Sequence, residues 1–271
     1  MPAFYRCKEM PVTIGRPRRS GNSPSGKTTR PMNEHEDPKA NRNINPMKNS
    51  PIRPQSLAEI VADRLKAAIL RRELALGEAL SEEKIAAAME VSRTPVREAL
   101  TMLQLQGLIT ILPRRGSFVF KPDQQTLHSL VEYRVQLELL AADWATQRAP
   151  EALHSALMQA IAIMEKARDE DDSFAYATAD TQFHEAFIVH CGNPLVIQAY
   201  GIAAGRLAAL RSHLAEQLGL HRQKTLQEHH QIARAVEARD AEQLRLLLKQ
   251  HIEAMEPNYA NALTLLDMRS G

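Results

Sequence analysis

Apolar residues fall at helical spacing only from Leu57 onward. Leu57, Ile60, Val61, Leu65, Ala68 and Ile69 share one stripe that ends near Leu76 and Gly77, which predicts an amphipathic first helix. Ser81 is placed to cap a second, short helix carrying Ile85, Ala86 and Met89. The break at Glu90-Val91-Ser92 leads into a third helix over about 93–106, with Gly107 as its stop. Between Leu108 and Phe120 the period changes. Ile109, Ile111, Phe118 and Phe120 favour extended backbone, and Pro113-Arg114-Arg115-Gly116 makes a turn between two short strands. Helix, helix, turn, helix, hairpin is the order of a winged helix-turn-helix with a small β-hairpin wing.

Beyond Pro122 the pattern stays helical over about 126–148, 151–169, 173–191, 194–217, 222–238 and 241–262. Breaks fall at Pro150, Asp171, Gly192 to Pro194, Gly219 and Asp240. Short connections make antiparallel neighbours, so an all-α bundle of six to seven helices is expected. The fold class is thus mostly α, with the winged helix-turn-helix over 55–121, an all-helical ligand-binding domain over 122–262 and a C-terminal tail over 263–271. Residues 1–54 are different material. They hold most of the fifteen prolines and only short apolar clusters, the composition of a disordered tail, and Met32 and Met47 are alternative start points.

Charge sharpens this division. The 271 residues carry a formal +2, but the tail carries +7, the winged region +2 and the helical region −7. A basic front and an acidic rear point to a polyanionic partner at the front. Cys7 and Cys191 are the two cysteines, too few for a disulfide framework or a cysteine-based zinc site, and a reducing, cytoplasmic setting fits. No run approaches the roughly 18 apolar residues of a membrane span, so no membrane partner is expected.

The third helix opens Val91-Ser92-Arg93-Thr94-Pro95-Val96-Arg97. Pro95 sits in the first turn, where its missing N–H costs nothing. Arg93 and Arg97 are four apart and share a face near the N-terminus, the part of a recognition helix that enters the major groove. There, Arg takes guanine O6 and N7 bidentately, while Ser92 and Thr94 are placed for phosphates, and Arg114 and Arg115 at the wing tip for backbone or minor groove. Solvation of a surface face is the plain alternative. From Leu80 through Val91-Ser92-Arg93-Thr94-Pro95-Val96-Arg97-Glu98-Ala99-Leu100 to Gly107-Leu108 and Arg115-Gly116, the chain resembles the GntR family of bacterial regulators. The resemblance implies DNA contacts at Arg93, Thr94 and Arg97. Some members place a basic residue on the second helix, where this chain has Glu82 and Glu83.

In the helical region Asp180 and His184 are four apart on one helix face, His229 follows two helices later and His251 on the next. A carboxylate and three imidazoles from neighbouring helices can converge inside a bundle and suit zinc, nickel or another divalent first-row ion. Chance placement among ten histidines is the competing explanation. Asp180-x-x-Phe183-His184, Gly192-Asn193-Pro194, Glu228-His229 and His251-Ile252 resemble in order and spacing the FCD ligand-binding domain of the FadR-like branch of the same family. That resemblance implies a divalent metal on Asp180, His184, His229 and His251, and a small carboxylate effector beside it. It also suggests Arg134 as an effector contact, against a surface salt bridge to Glu138 as the alternative. His230 should face elsewhere, Arg206 and Arg211 are within possible reach of the pocket, and Trp144, Met164 and Cys191 read as core.

A homodimer on a palindromic double-stranded DNA operator is expected, because one recognition helix reads too few bases. Two other readings stay open: a metal-dependent hydrolase fused to a DNA-binding domain, and an effector-free DNA-binding protein. No general acid or nucleophile beside the Asp/His set supports the hydrolase.

Overall fold

The computed structural model describes residues 55–270, apart from the side chains of Leu220, Arg269 and Ser270; the tail expected over 1–54 lies outside the described residues. The winged helix-turn-helix comprises α1 (Leu57–Leu70), β1 (Ala79–Leu80), α2 (Glu82–Met89), α3 (Arg93–Leu105), β2 (Ile109–Leu112) and β3 (Gly116–Val119). Ser56 and Glu59 form a reciprocal capping box at the start of α1, and the Ser81 hydroxyl accepts from Lys84 N at the start of α2. Helix α1 stops at Leu70, earlier than its sequence pattern implies, because Arg72 takes a left-handed backbone with φ 65°. Its inward stripe is Ala58, Val61, Ala62, Leu65 and Ile69, whereas Leu57 and Ile60, expected on that stripe, are exposed. The hairpin β2–β3 is the expected wing. The two-residue strand β1 adds to its other edge, giving an antiparallel sheet of order β1-β3-β2, with Ala79 opposite Phe118.

Seven helices follow: α4 (Gln124–Arg148), α5 (Pro150–Asp169), α6 (Ser173–His190), α7 (Pro194–Leu214), α8 (Arg222–Glu237), α9 (Ala241–Glu253) and α10 (Met255–Ser270), with a 3-10 turn over Gly219–His221 before α8. Asp123, Asp172, Asn193 and Asp240 cap α4, α6, α7 and α9 through their side chains. The expected tail over 263–271 is corrected by α10. Tyr259, Ala262 and Leu263 are buried at helical spacing and Leu266 packs against the same core, so the segment docks instead of trailing. The separate helix begins where it does because Pro257 has no N–H for the Glu253 carbonyl and its ring crowds that group, ending α9.

A single hydrophobic core runs from α1 and α3 through the bundle, and includes Met164 and Cys191 as expected, with Trp144 half-buried at its edge. The bundle reaches the winged domain chiefly through α7. Gly107, just past α3, has φ +72°, and a Cβ there would meet the Arg206 guanidinium at 2.2 Å. Gly107→Ala should therefore destabilise the protein by about 1–2 kcal/mol through the left-handed backbone alone, which thermal unfolding would register as a fall of roughly 2–6 °C. An unchanged midpoint would contradict the assignment.

Candidate functional site

On α3 the sequence places Val96, Ala99, Leu100 and Leu103 inward, which leaves Ser92, Arg93, Thr94 and Arg97 exposed together at the N-terminal end. Ser92 is the N-cap by backbone geometry, but its hydroxyl makes no cap hydrogen bond. Arg114 and Arg115 are exposed at the wing tip, Arg114 with φ 64°. The six expected DNA-contacting residues thus lie on exposed surface. What the sequence left unassigned is the role of Glu82 and Glu83. Glu83 Oε1 accepts from Arg93 Nη2 at 2.6 Å and Glu82 Oε2 accepts from Arg97 Nε at 2.7 Å, so the acidic start of α2 holds both arginines.

The four expected metal ligands converge. Asp180 and His184 come from α6, His229 from α8 and His251 from α9, and one ligand atom from each lies within 4.8 Å of all the others. His184 and His229 are buried, and Phe183 packs against both rings. His184 Nδ1 lies 2.7 Å from Glu138 Oε2, and His251 Nδ1 lies 2.8 Å from Glu228 Oε2. Each carboxylate holds a proton on Nδ1 and leaves Nε2 as a bare acceptor. The two Nε2 atoms then face each other at 3.2 Å. His229 contributes two further ring nitrogens that are fully buried without a hydrogen bond; its Nε2 stands 3.4 Å from Asp180 Oδ1. Burying the facing Nε2 pair together with an unpaired His229 ring is expensive unless a cation receives their acceptor nitrogens. The donor set of three imidazole nitrogens and a carboxylate oxygen fits a divalent first-row ion.

Electrostatics support the same assignment. Burial pushes the His184 and His229 pKa values well below the ordinary range, and the Arg134 and Arg211 charges push in the same direction, so both rings are neutral at physiological pH. Burial alone would raise the Asp180 pKa, but the adjoining Arg211, with His184 and His229, outweighs it and holds the carboxyl ionised well below the usual range.

Arg134 sits elsewhere than expected for an effector contact. It is buried, its Nε donates to Glu138 Oε1 at 2.5 Å and its Nη1 approaches Met255 Sδ at 2.9 Å; the pair with Glu138 is an interior one, and Arg134 does not line the adjacent cavity. Arg211 does line it, paired with Asp180. That cavity, open to solvent, has room of about 100 Å³, and Tyr176, Glu228, His251, Asn258, Tyr259, Arg222 and Lys224 are among its lining residues. Arg206 points instead to Gly107, and His230 pairs with Glu165 away from the site. Sequence reasoning offered Glu138 only as the partner in a surface salt bridge, yet Leu127, Val131, Arg134, Glu138, Ala141 and Ala145 share the inward spacing of α4, and that phase was the signal that the pair is interior.

A winged helix-turn-helix joined to a helical domain with a cavity beside a buried Asp/His cluster has the layout of a DNA-binding regulator. Residues 57–119 match the family described as bacterial regulatory proteins, gntR family, and residues 129–254 match the FCD domain. This chain belongs to the GntR family of transcription regulators and carries an FCD effector-binding domain. An HTH-type transcriptional regulator in an unstable DNA locus of Streptomyces ambofaciens is 30% identical over 198 residues, covering 71% of this chain and 80% of that protein. The HTH-type transcriptional repressor NanR of Klebsiella aerogenes is 26% identical over 235 residues, covering 79% of this chain and 90% of that protein. Among solved structures, a GntR transcriptional regulator from Rhodococcus sp. RHA1 superposes with TM-score 0.69 at 25% identity, covering 77% of this chain and 99% of its own. These are regulators, not enzymes. Among the described residues no helix is long and apolar enough to cross a membrane.

The histidines set a pH dependence. Because the folded-state pKa values of His184 and His229 lie well below the ordinary imidazole value of 6.5, the unfolded chain binds protons there that the folded chain does not. Stability is then full above that value and falls as pH drops through it, by up to about 1.4 kcal/mol per pH unit per histidine. Urea unfolding of chelator-treated protein at pH 7.5 and 5.5 should show a clearly lower midpoint at pH 5.5.

Proposed function

We propose that this chain is a ligand-responsive transcription regulator that binds a two-fold operator as a homodimer in the cytoplasm, under control of a small carboxylate metabolite in a metal-containing pocket. The observation that carries the pocket half is the pair of Nε2 acceptors at 3.2 Å, each fixed by a carboxylate on its Nδ1, beside a His229 with neither nitrogen bonded. Asp180, His184, His229 and His251 would hold the metal, zinc or nickel by donor type. Bound there, it supplies a positive centre onto which a carboxylate oxygen can close. Arg134 and Arg211 against Glu138, Asp180 and Glu228 leave one negative charge around the site, so a divalent ion turns the balance positive by one. An anion is the matching ligand. Arg134 serves the site indirectly, by neutralising Glu138.

At the DNA end, Arg93 and Arg97 read base edges while Ser92, Thr94, Arg114 and Arg115 hold phosphates or the minor groove. Relatives named as repressors favour repression as the output.

Metal analysis of the purified protein beside an Asp180→Ala/His184→Ala double variant tests the pocket. Near one metal per chain, lost in the variant, is expected; equal metal content in both, or none in either, overturns the centre. At the other end, in vitro selection from random DNA should recover a palindromic site. Arg93→Ala and Arg97→Ala should each weaken it by about 10–100-fold, and equal affinity for selected and random DNA in the wild type would count against base readout.

A further inference from the structure

Arg93 is the first residue of α3, where a cation is badly placed. The free backbone amides of a first turn make that end of a helix positive, and α3 has no acidic residue in its own first turn to offset it. The partner comes from the preceding helix. Glu83, in the first turn of α2, accepts from Arg93 Nη2 at 2.6 Å. Glu82 makes the corresponding contact to Arg97, but the two acids stand differently. The Glu82 side chain is 33% exposed, whereas that of Glu83 is 76% exposed and that of its arginine 54%. Glu82 is a sheltered brace; Glu83 carries its charge out into solvent beside the N-terminus of α3.

At the same place the amides of α3 have no side-chain cap. The Ser92 hydroxyl makes no cap hydrogen bond, and Ser92 and Thr94 are exposed on either side of Arg93. Free N–H groups, two hydroxyls and a guanidinium together suit a phosphate. Every DNA sequence offers phosphates, and an arginine committed to one reads no base.

Glu83 makes these two uses of Arg93 unequal. A guanidinium presents five N–H donors in a fixed fork, and Glu83 engages only one of its nitrogens. A guanine edge takes two donors and brings no net charge, so base and carboxylate can share Arg93. A phosphate brings a negative charge against the Glu83 carboxylate, well inside the screening length of about 8–10 Å. The exposed pair can open for either partner, but only the phosphate meets repulsion. That penalty applies to all DNA alike, while the base contact is gained on the matching sequence alone.

We propose that Glu83 is a specificity determinant of the DNA-binding domain: by holding Arg93 it weakens the grip on arbitrary DNA and keeps the arginine for a base edge. The proposal rests on the base readout proposed above. A negative charge in the DNA-facing surface thus lowers affinity and raises discrimination.

The test uses full-length wild type, Glu83→Gln, Arg93→Ala and the double variant. Each is titrated by fluorescence anisotropy against the palindromic site recovered by selection and against random duplex, over a range of salt concentrations. Glu83→Gln should bind random duplex about tenfold more tightly and the selected site less than about threefold more tightly, so the ratio between them falls. On random duplex its affinity should also fall more steeply with salt, by about one further phosphate contact. In the Arg93→Ala background the same substitution should change affinity and slope much less, because the arginine it would release is gone. An unchanged ratio in Glu83→Gln overturns the role. A role confined to offsetting the helix ends would give that result together with a lower unfolding midpoint. A Glu83→Gln effect of equal size without Arg93 shows the bare charge acting in place of the pair, and overturns the mechanism. A wild type that binds both duplexes equally fails the base-readout reading itself, which is distinct from a selective wild type whose Glu83→Gln variant is just as selective.

Discussion

Glu138 is the interaction on which the helical domain is organised. It is fully buried, and a carboxylate taken out of water is tolerated only where donors surround it. Arg134 on its own helix supplies one, His184 on α6 another, and the Tyr200 hydroxyl on α7 approaches at 3.3 Å. Three helices are thereby tied to one side chain. The same bonds fix which nitrogen of His184 carries its proton, and Arg134 continues the chain of contacts to Met255 at the start of α10. Tyr200 stays a neutral donor, since burial and the Glu138 charge both raise its pKa.

Much of this was legible in the residues themselves. The winged domain could be read because each punctuation mark has a local cause: Ser81 as a cap, Pro95 in a first turn, Gly107 in a left-handed stop. The Asp180/His184 pair was legible because four residues make one helical turn. The partners of the histidines were not. An Arg and a Glu four apart look the same in sequence whether they lie on a surface or in an interior, and only the phase of the neighbouring apolar residues separates the two cases. Strand β1 left no signal because two residues have no period; they are extended by pairing with β3 from a distance. The start of α10 was hidden for a different reason. Apolar spacing continues across the break, and Pro257 alone marks where a new helix begins.

Across both halves, arginine at the candidate sites is held by acid. Arg93 and Arg97 rest on Glu83 and Glu82 at the exposed end of α3, and Arg211 rests on Asp180 in the interior. The surroundings decide what this means energetically. Exposed pairs are worth little and yield readily to phosphates or bases. The interior pair is held by low dielectric, so Arg211 keeps Asp180.

The fit between Gly107 and Arg206 bears on how such regulators can be recombined. These residues are 99 positions apart and belong to different domains, yet the guanidinium occupies the space that any other residue at 107 would fill. The junction near residue 121 looks in sequence like a clean place to exchange one DNA-reading module for another. In three dimensions the seam runs along α7, and a chimera cut at the linker inherits half of a matched surface. Grafting a foreign module onto this bundle calls for Gly107, Leu108 and the end of α1 to be transplanted as a set with Gly205, Arg206, Ser212 and His213, because Gly205 packs against Leu108 and Ser212 and His213 hydrogen-bond the Leu70 and Ile69 carbonyls.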